Sequence, residues 1–466
     1  MRRTLPILAL LVSLALASPP ARAQSPVDAA AKAAPQLLAD YLKIDNTNPP
    51  GNELAACRFL EAHLAKAGLK STVWESAPGR GNLLAVLPGR NPSLGALILL
   101  SHSDVVPADP RYWKHPPFSG RITDGRIWGR GALDMKGMGI LETQAFIALA
   151  KSGLPVERTV MLLVVADEEM GADAGVKWMF EHHPEVFKNV AGIINEEGPG
   201  LLENGRLKFW EVRPGQKGIA WLQLIAKGTP GHGSLPFRDA APNRLIRALD
   251  RVLAYETPIQ VLPEAQQFFA QISALETDPK HAAQLRDVRA SLRDPEFSRW
   301  FFSNRVWNAM VRNTITLTQL EASNKTNVIP PQATAALDCR LLPGQDTTTF
   351  IESIQKLVAP EGVEVKGLDL ETAVAASPTN TELFRVISGV IGEWFPKALV
   401  VTPYSRAAND SRYFQEKGIV SYGFVPFALT QGELDTMHGN DESVSVENVE
   451  RGVRMLYDVV KRFSTK

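Results

Sequence analysis

The chain has 466 residues, with 50 Lys plus Arg against 50 Asp plus Glu and a formal net charge of +0. With that balance, and with no basic stripe or charged tail, a nucleic-acid-binding protein is excluded. A hydrophobic fraction of 45% with 21% charged residues excludes disordered, collagen-like and coiled-coil chains, and two cysteines exclude a disulfide scaffold or a Cys-rich zinc module.

Residues 1–23 read as a secretory signal peptide: Arg2 and Arg3, an apolar run over 5–17, Pro19 and Pro20, then Ala21-Arg22-Ala23 as a small-x-small cleavage site. The run is too short for a comfortable membrane span, so the expected product is exported, periplasmic or secreted, beginning near Gln24. An uncleaved anchor is the alternative. Export would permit a disulfide between Cys57 and Cys339. Nothing else pairs them, and two free, buried cysteines are expected.

Helices are predicted over 34–44 and 53–67, the second closed by Gly68, with a Pro/Gly/Asn-rich loop between them. Apolar runs at 82–87, 96–100, 159–166 and 191–194 are continuous rather than alternating, as in strands buried on both faces of a parallel sheet. Helical stretches at 139–151 and 175–182 fall among them. This alternation predicts an α/β fold with a mostly parallel sheet flanked by helices.

The texture changes near Gly215. An alternating strand at 219–227, a helix at 243–255, strands at 314–320 and 333–341, a helix at 347–357 and a strand at 363–370 follow. That βαββαβ order fits an inserted α+β domain. Residues 257–312 exceed the pattern, with a helical stretch at 264–292 and an aromatic cluster of Trp300, Phe301, Phe302 and Trp307. The cluster is expected to be core of the enlarged insertion. As a substrate wall instead, it would imply a bulky apolar substrate group. The expected domains are 24–214 and 373–466 as one catalytic unit, the latter with a strand at 419–425, and 215–372 as the insertion.

The chemistry collects where the apolar runs stop: Ser101-His102-Ser103-Asp104, Asp167-Glu168-Glu169 and Asn195-Glu196-Glu197-Gly198. Asp134 adds a fourth acidic position in a glycine-rich loop that leads into a helix. Ligands bind at the carboxyl ends of strands in open α/β sheets. Carboxylates gathered there repel one another and resist desolvation unless a cation neutralises them. His with Asp and Glu and no Cys suits zinc, with manganese or cobalt as substitutes. A serine hydrolase is disfavoured because no nucleophile-elbow motif is present.

These residues resemble the dinuclear zinc metallopeptidase family of aminoacylase, acetylornithine deacetylase, succinyl-diaminopimelate desuccinylase, carnosinase and glutamate carboxypeptidase, most of all its carboxypeptidase S branch. The resemblance runs from about Ala34 to Phe463. It rests on Ser101-His102-Ser103-Asp104-Val105-Val106-Pro107, on 129–137, Ala166-Asp167-Glu168-Glu169, Gly231-His232-Gly233-Ser234, Asn327-Val328-Ile329-Pro330, Asn409-Asp410-Ser411-Arg412-Tyr413 and Met437-His438-Gly439.

The resemblance implies a zinc-exopeptidase-like catalytic domain with a lid that also serves dimerisation, and two Zn2+ ions. His102 would bind one ion and His438 the other, with Asp134 bridging; Glu169 and Glu197 would complete the two sites. Asn195-Glu196-Glu197-Gly198 departs from the Asp-Glu-Gly form of relatives, so Glu196 remains the substitute for Glu197. Asp104 would orient the His102 imidazole. A cis peptide is expected after Asp134. Glu168 would act as general base on a water shared by the ions. His232 and Asn327 would stabilise the oxyanion, the His reaching a partner subunit's site in dimeric relatives, and Arg340 would clamp a substrate carboxylate.

The function expected is cleavage of a small peptide beside a free carboxylate, with carboxypeptidase or dipeptidase ahead of N-acyl-amino-acid hydrolase. A silent binding protein on the same scaffold is the remaining alternative. No nucleic-acid or membrane partner is expected beyond the leader, and a homodimer through the lid is possible.

Overall fold

The structure is a computed structural model that describes residues 25–465 apart from 372 and 406. The leader read over 1–23 lies outside the described residues.

Six strands form the central sheet, in the order Ser71–Ala77, Arg80–Leu87, Val160–Val165, Ala96–His102, Val190–Asn195 and Ser421–Gly423. The last four are parallel, and the first two extend one edge antiparallel. Every residue of Ala96–His102 is buried, as an unbroken apolar run at the centre of a sheet requires. Leu97 and Leu99 face a core built from the helices Pro26–Tyr41, Glu53–Lys66, Lys136–Lys151, Glu382–Trp394 and Val446–Ser464. Ile98 and Leu100 face Val176 and Met179 of the helix Val176–His182 on the other side.

Lys136–Lys151 is buried without a break from Lys136 to Leu149. Its start is fixed by close approach: a Cβ on Gly137 would lie 2.1 Å from the Ala132 carbonyl oxygen. The first helix begins at Pro26, well before the expected position. Ser25 caps it by accepting from the Asp28 N–H, and Pro26 occupies its first turn. Residues 29–34 are nearly all alanine, a good helix former with no apolar period to read.

Residues 218–370 contain the expected βαββαβ unit. Its antiparallel sheet runs Thr314–Glu321, Gln332–Leu341, Gly218–Lys227, Glu364–Leu370, backed by Ala241–Ala254 and Thr347–Val358. The excess residues form five short helices, Pro263–Ile272, Pro279–Leu285, Val288–Ser291, Pro295–Ser303 and Arg305–Met310. Of the aromatic cluster, Phe301 is core beside Phe269 and Phe297, and Trp300, Phe302 and Trp307 pack partly buried against it. That core, however, is shared with Val401 and Tyr404 of the catalytic unit rather than with the lid sheet. Lys217 pins the segment's end, its Nζ donating to the carbonyls of Ala309 and Arg312 at 2.9 Å each.

A second four-stranded sheet, Val400–Val401, Arg206–Glu211, Gly200–Glu203 and Ala428–Thr430, was not legible in the sequence. Strands of two to six residues carry too little alternation to stand out. Cys57 and Cys339 are buried, unpaired, and sit in separate cores. Among the described residues no helix is long and apolar enough to cross a membrane.

Candidate metal centre

His102 is the last residue of the central strand Ala96–His102. Its Nδ1 lies 3.0 Å from the Asp104 carbonyl oxygen and 3.3 Å from Asp104 Oδ1, which turns Nε2 outward. Nε2 then stands 3.2 Å from Asp134 Oδ1 and 3.7 Å from Glu196 Oε2. The other Asp134 oxygen is 3.0 Å from His438 Nε2, which is itself 3.4 Å from Glu169 Oε2. One carboxylate thus belongs to two sets of three donors, His102–Asp134–Glu196 and Asp134–Glu169–His438. Tetrahedral ligands about 2.0–2.2 Å from one zinc stand roughly 3.4 Å apart. The donor separations here match that edge, so the residues fit a pair of divalent ions.

The surroundings hold each donor in place. Asp104 also accepts from the Glu168 and Glu169 N–H groups at 3.3 and 3.2 Å and from Asn48 Nδ2 at 2.8 Å. Glu442 organises the Asp134 loop. It accepts from the N–H groups of Gly131, Leu133 and Asp134 at 3.2, 2.7 and 3.2 Å, and pairs with Arg130 at 2.6 Å. The Asp134–Met135 peptide is cis. Asp167, Glu197 and His438 have φ of 69°, 72° and 58°, a left-handed conformation that costs non-glycine residues about 1–2 kcal/mol each and gathers at functional sites.

Electrostatics describe a centre short of positive charge. Burial, opposed by His102, pushes Glu196 up to about 8. Burial and the Glu196 charge raise Glu168 well above the usual carboxylate range. Burial alone would raise Asp134, but the imidazoles on its two oxygens hold it below that range. Asp134 and Glu169 lift His438 to about 10. His102 is raised well above an ordinary imidazole, since Asp104, Asp134 and Glu196 outweigh its desolvation. The groups balance one another only by sharing protons. Divalent cations supply the same balance with the nitrogen and oxygen lone pairs facing them.

The structure corrects one expected ligand. Glu196, not Glu197, faces His102. After the strand Val190–Asn195 ends, the left-handed turn at Glu197 swings its side chain aside. There Glu197 pairs with Arg213 at 2.8 Å and accepts from Ser405 Oγ and from Asn409 Nδ2. The glutamate next to Gly198 is thus turned away from His102, and Glu196, the substitute, stands in the donor set instead.

Three expected substrate-contacting residues lie outside the donor sets. His232 and Asn327 are exposed on a small ribbon where His232 pairs with Val328 and the Gly233 N–H donates to the Asn327 carbonyl at 2.9 Å. Arg340 is engaged by Asp338 at 2.7 Å. Asp410 is buried with neither carboxyl oxygen hydrogen-bonded, and burial pushes it up to about 7; Arg412 pairs with Glu371 at 2.5 Å. Asn48, Arg213 and Glu442, which organise the centre, carry no motif of their own and only the tertiary contacts single them out.

The profile of peptidase family M20/M25/M40 matches residues 98–462, most of the chain. The chain belongs to this family. It is 29% identical to aminoacylase-1 of Sus scrofa over 422 residues, spanning 90% of this chain and 92% of that one. Identity to the N-fatty-acyl-amino acid synthase/hydrolase PM20D1 of Xenopus tropicalis is 30% over 387 residues, 81% of this chain and 74% of that one. Among solved structures, the M20 family metallo-carboxypeptidase Sso-CP2 from Sulfolobus solfataricus superposes with a TM-score of 0.71 at 20% identity, covering 92% of this chain and 99% of that one. This M20 chain is accordingly a metallopeptidase or amidohydrolase by family, with the α/β catalytic domain and lid of that fold.

Proposed function

We propose that this M20 chain is an exported, two-zinc hydrolase that cleaves the amide bond of N-acyl amino acids. The observation that carries the metal-dependent part is the single carboxylate of Asp134 shared between the two donor sets, with Glu168 beside them. The N-acyl reading is supported by the span and identity shared with aminoacylase-1. Cleavage of a small peptide, which the sequence favours, is the other outcome of the test.

Bound zinc supplies positive charge that polarises the scissile carbonyl and makes a water acidic near neutral pH. The remaining work falls to the chain. His102, Glu196, Asp134, Glu169 and His438 would hold the ions. Asp104 fixes the His102 ring so that Nε2 faces the centre. Glu168 takes the proton of the attacking water and returns it to the leaving amine. His232 and Asn327, exposed on the lid ribbon, would serve the oxyanion of a second copy in a homodimer. Arg340 would have to leave Asp338 to hold a substrate carboxylate.

Stripping the metal with a chelator should abolish amide hydrolysis and lower the melting temperature. Zinc returned at about 100 times its Kd should restore roughly 2.7 kcal/mol of stability. Melting curves indifferent to both treatments would remove the metal from this reading. Export rests on the first 23 residues alone. Intact-mass measurement of protein recovered from the periplasm or medium should show an N-terminus near Gln24, and an intact Met1 would support an anchor.

A further inference from the structure

Two residues past the strand Val160–Val165, Asp167 turns the chain so that the N–H groups of Glu168 and Glu169 reach Asp104. It does so with a φ of 69°. Glycine adopts this conformation freely, whereas a side chain costs about 1–2 kcal/mol there. Such strain persists where the surroundings hold it, and here they hold the Asp167 carboxylate. Oδ1 accepts from Arg80 Nη2 at 2.7 Å and from Asn48 Nδ2 at 2.9 Å, and Oδ2 accepts from the Ala174 N–H at 3.0 Å.

Arg80 and Asn48 are themselves held. Arg80 lays Nε and Nη2 on the two oxygens of the fully buried Glu53, at 2.7 Å each. Asn48 also donates to Asp104 Oδ2 at 2.8 Å, so one amide spans the carboxylates of Asp104 and Asp167. The fully buried Asn82 accepts from the Ala166 N–H at 3.1 Å and donates to the Ala174 carbonyl at 2.9 Å, which closes the loop at both ends. Past Glu169 the loop offers exposed Met170 and Asp173 and otherwise only glycine and alanine up to 175.

We propose that Asp167 is a positioning residue for the base: clamped by Arg80 and Asn48, it fixes the direction in which the 166–174 loop presents Glu168. The inference rests on the proposed amide hydrolysis with Glu168 as base, and adds the element that aims it.

Stability does not account for the arrangement. A buried ion pair contributes little over apolar residues of similar volume, because desolvation offsets the attraction. What the guanidinium fork supplies is direction, since its paired contacts fix angles as well as distances. Asn48 then ties Asp167 to the same Asp104 that contacts the His102 ring, so base and ligand share one frame. A reacting group displaced by about 1 Å loses on the order of 100-fold in rate.

The test uses the zinc-loaded full chain with N-acetyl-phenylalanine or alanyl-phenylalanine, whichever it cleaves faster. Asp167→Asn keeps the side chain's size and tolerates the left-handed backbone, but cannot accept from all three donors. It should lower kcat about 10–100-fold, with KM within about threefold and both zinc ions retained. Replacing Arg80 and Glu53 together by methionine removes the clamp and its buried counterion at once. The melting temperature should then change little while kcat falls by a similar factor. Added to Glu168→Gln, Asp167→Asn should cost less than about threefold, because no base is left to misplace.

Losses that multiply in the double variant overturn the inference, as does unchanged kcat in either folded variant or a loss that zinc release accounts for. If the wild-type chain cleaves no amide, the proposed hydrolysis fails and hydrogen exchange judges the anchor separately. Asp167→Asn should speed exchange of the Glu168 and Glu169 amides at least about tenfold and leave those of 97–100 unchanged. No change, or equal acceleration in both segments, rejects it.

Discussion

Glu168→Gln should lower kcat by about 10²–10⁴-fold while leaving KM and zinc content nearly unchanged. Glutamine keeps the side chain's size and hydrogen bonds but cannot accept the proton. Glu168 is outside both donor sets, so its loss should not release metal. Its backbone N–H is held by Asp104 Oδ1 at 3.3 Å, the same carboxylate that contacts the His102 ring, which places base and ligand on one support. Burial and the neighbouring Glu196 raise its carboxyl from the ordinary 4.5, and a raised pKa makes a better base near neutrality. The base works ionised. Activity is therefore present above its pKa and lost as pH falls through it. Single-turnover rates and metal analysis on the same preparation check both halves; a variant with full turnover would remove Glu168 from the proton path.

Glu196→Gln and Glu197→Gln should behave as opposites although the residues are adjacent. Glu196 stands 3.7 Å from His102 Nε2 within one donor set. Its substitution should reduce bound zinc from two ions to one and cost at least about 100-fold in activity, beyond what loss of an outer hydrogen bond to a ligand costs. Glu197 holds Arg213, Ser405 and Asn409 instead. Its substitution should keep both ions and lower stability by about 1–3 kcal/mol, since Arg213 retains Glu211 at 2.7 Å. Zinc stoichiometry by atomic absorption, read beside thermal melting, distinguishes them. One ion lost from Glu197→Gln and two retained in Glu196→Gln would reverse the assignment made here.

Particular elements show how far the chain can be read unaided. The strands at 96–102, 160–165 and 190–195 announce themselves because a strand buried on both faces must be apolar throughout. The lid's strand at 218–227 is legible for the opposite reason, since one exposed face forces alternation. The hairpin at 200–211 follows neither rule and stays hidden until Val400–Val401 and Ala428–Thr430 pair with it from far along the chain.

What the sequence determined by itself is which chemistry stands at the ends of the buried strands, His102, Glu168, Glu169 and the Glu196–Glu197 pair, with Asp134 in the glycine-rich loop before a helix. These follow from local rules, apolar runs ended by charged residues that no sheet would otherwise bury. Only the tertiary structure decided which glutamate of the pair faces His102, because a single left-handed φ at Glu197 reverses a side chain without leaving any trace in composition. It alone also decided that residues 257–312 pack on the catalytic unit. That arrangement depends on contacts of the core of Phe269 and Phe301 with Val401 and Tyr404, far along the chain, where periodicity carries no information.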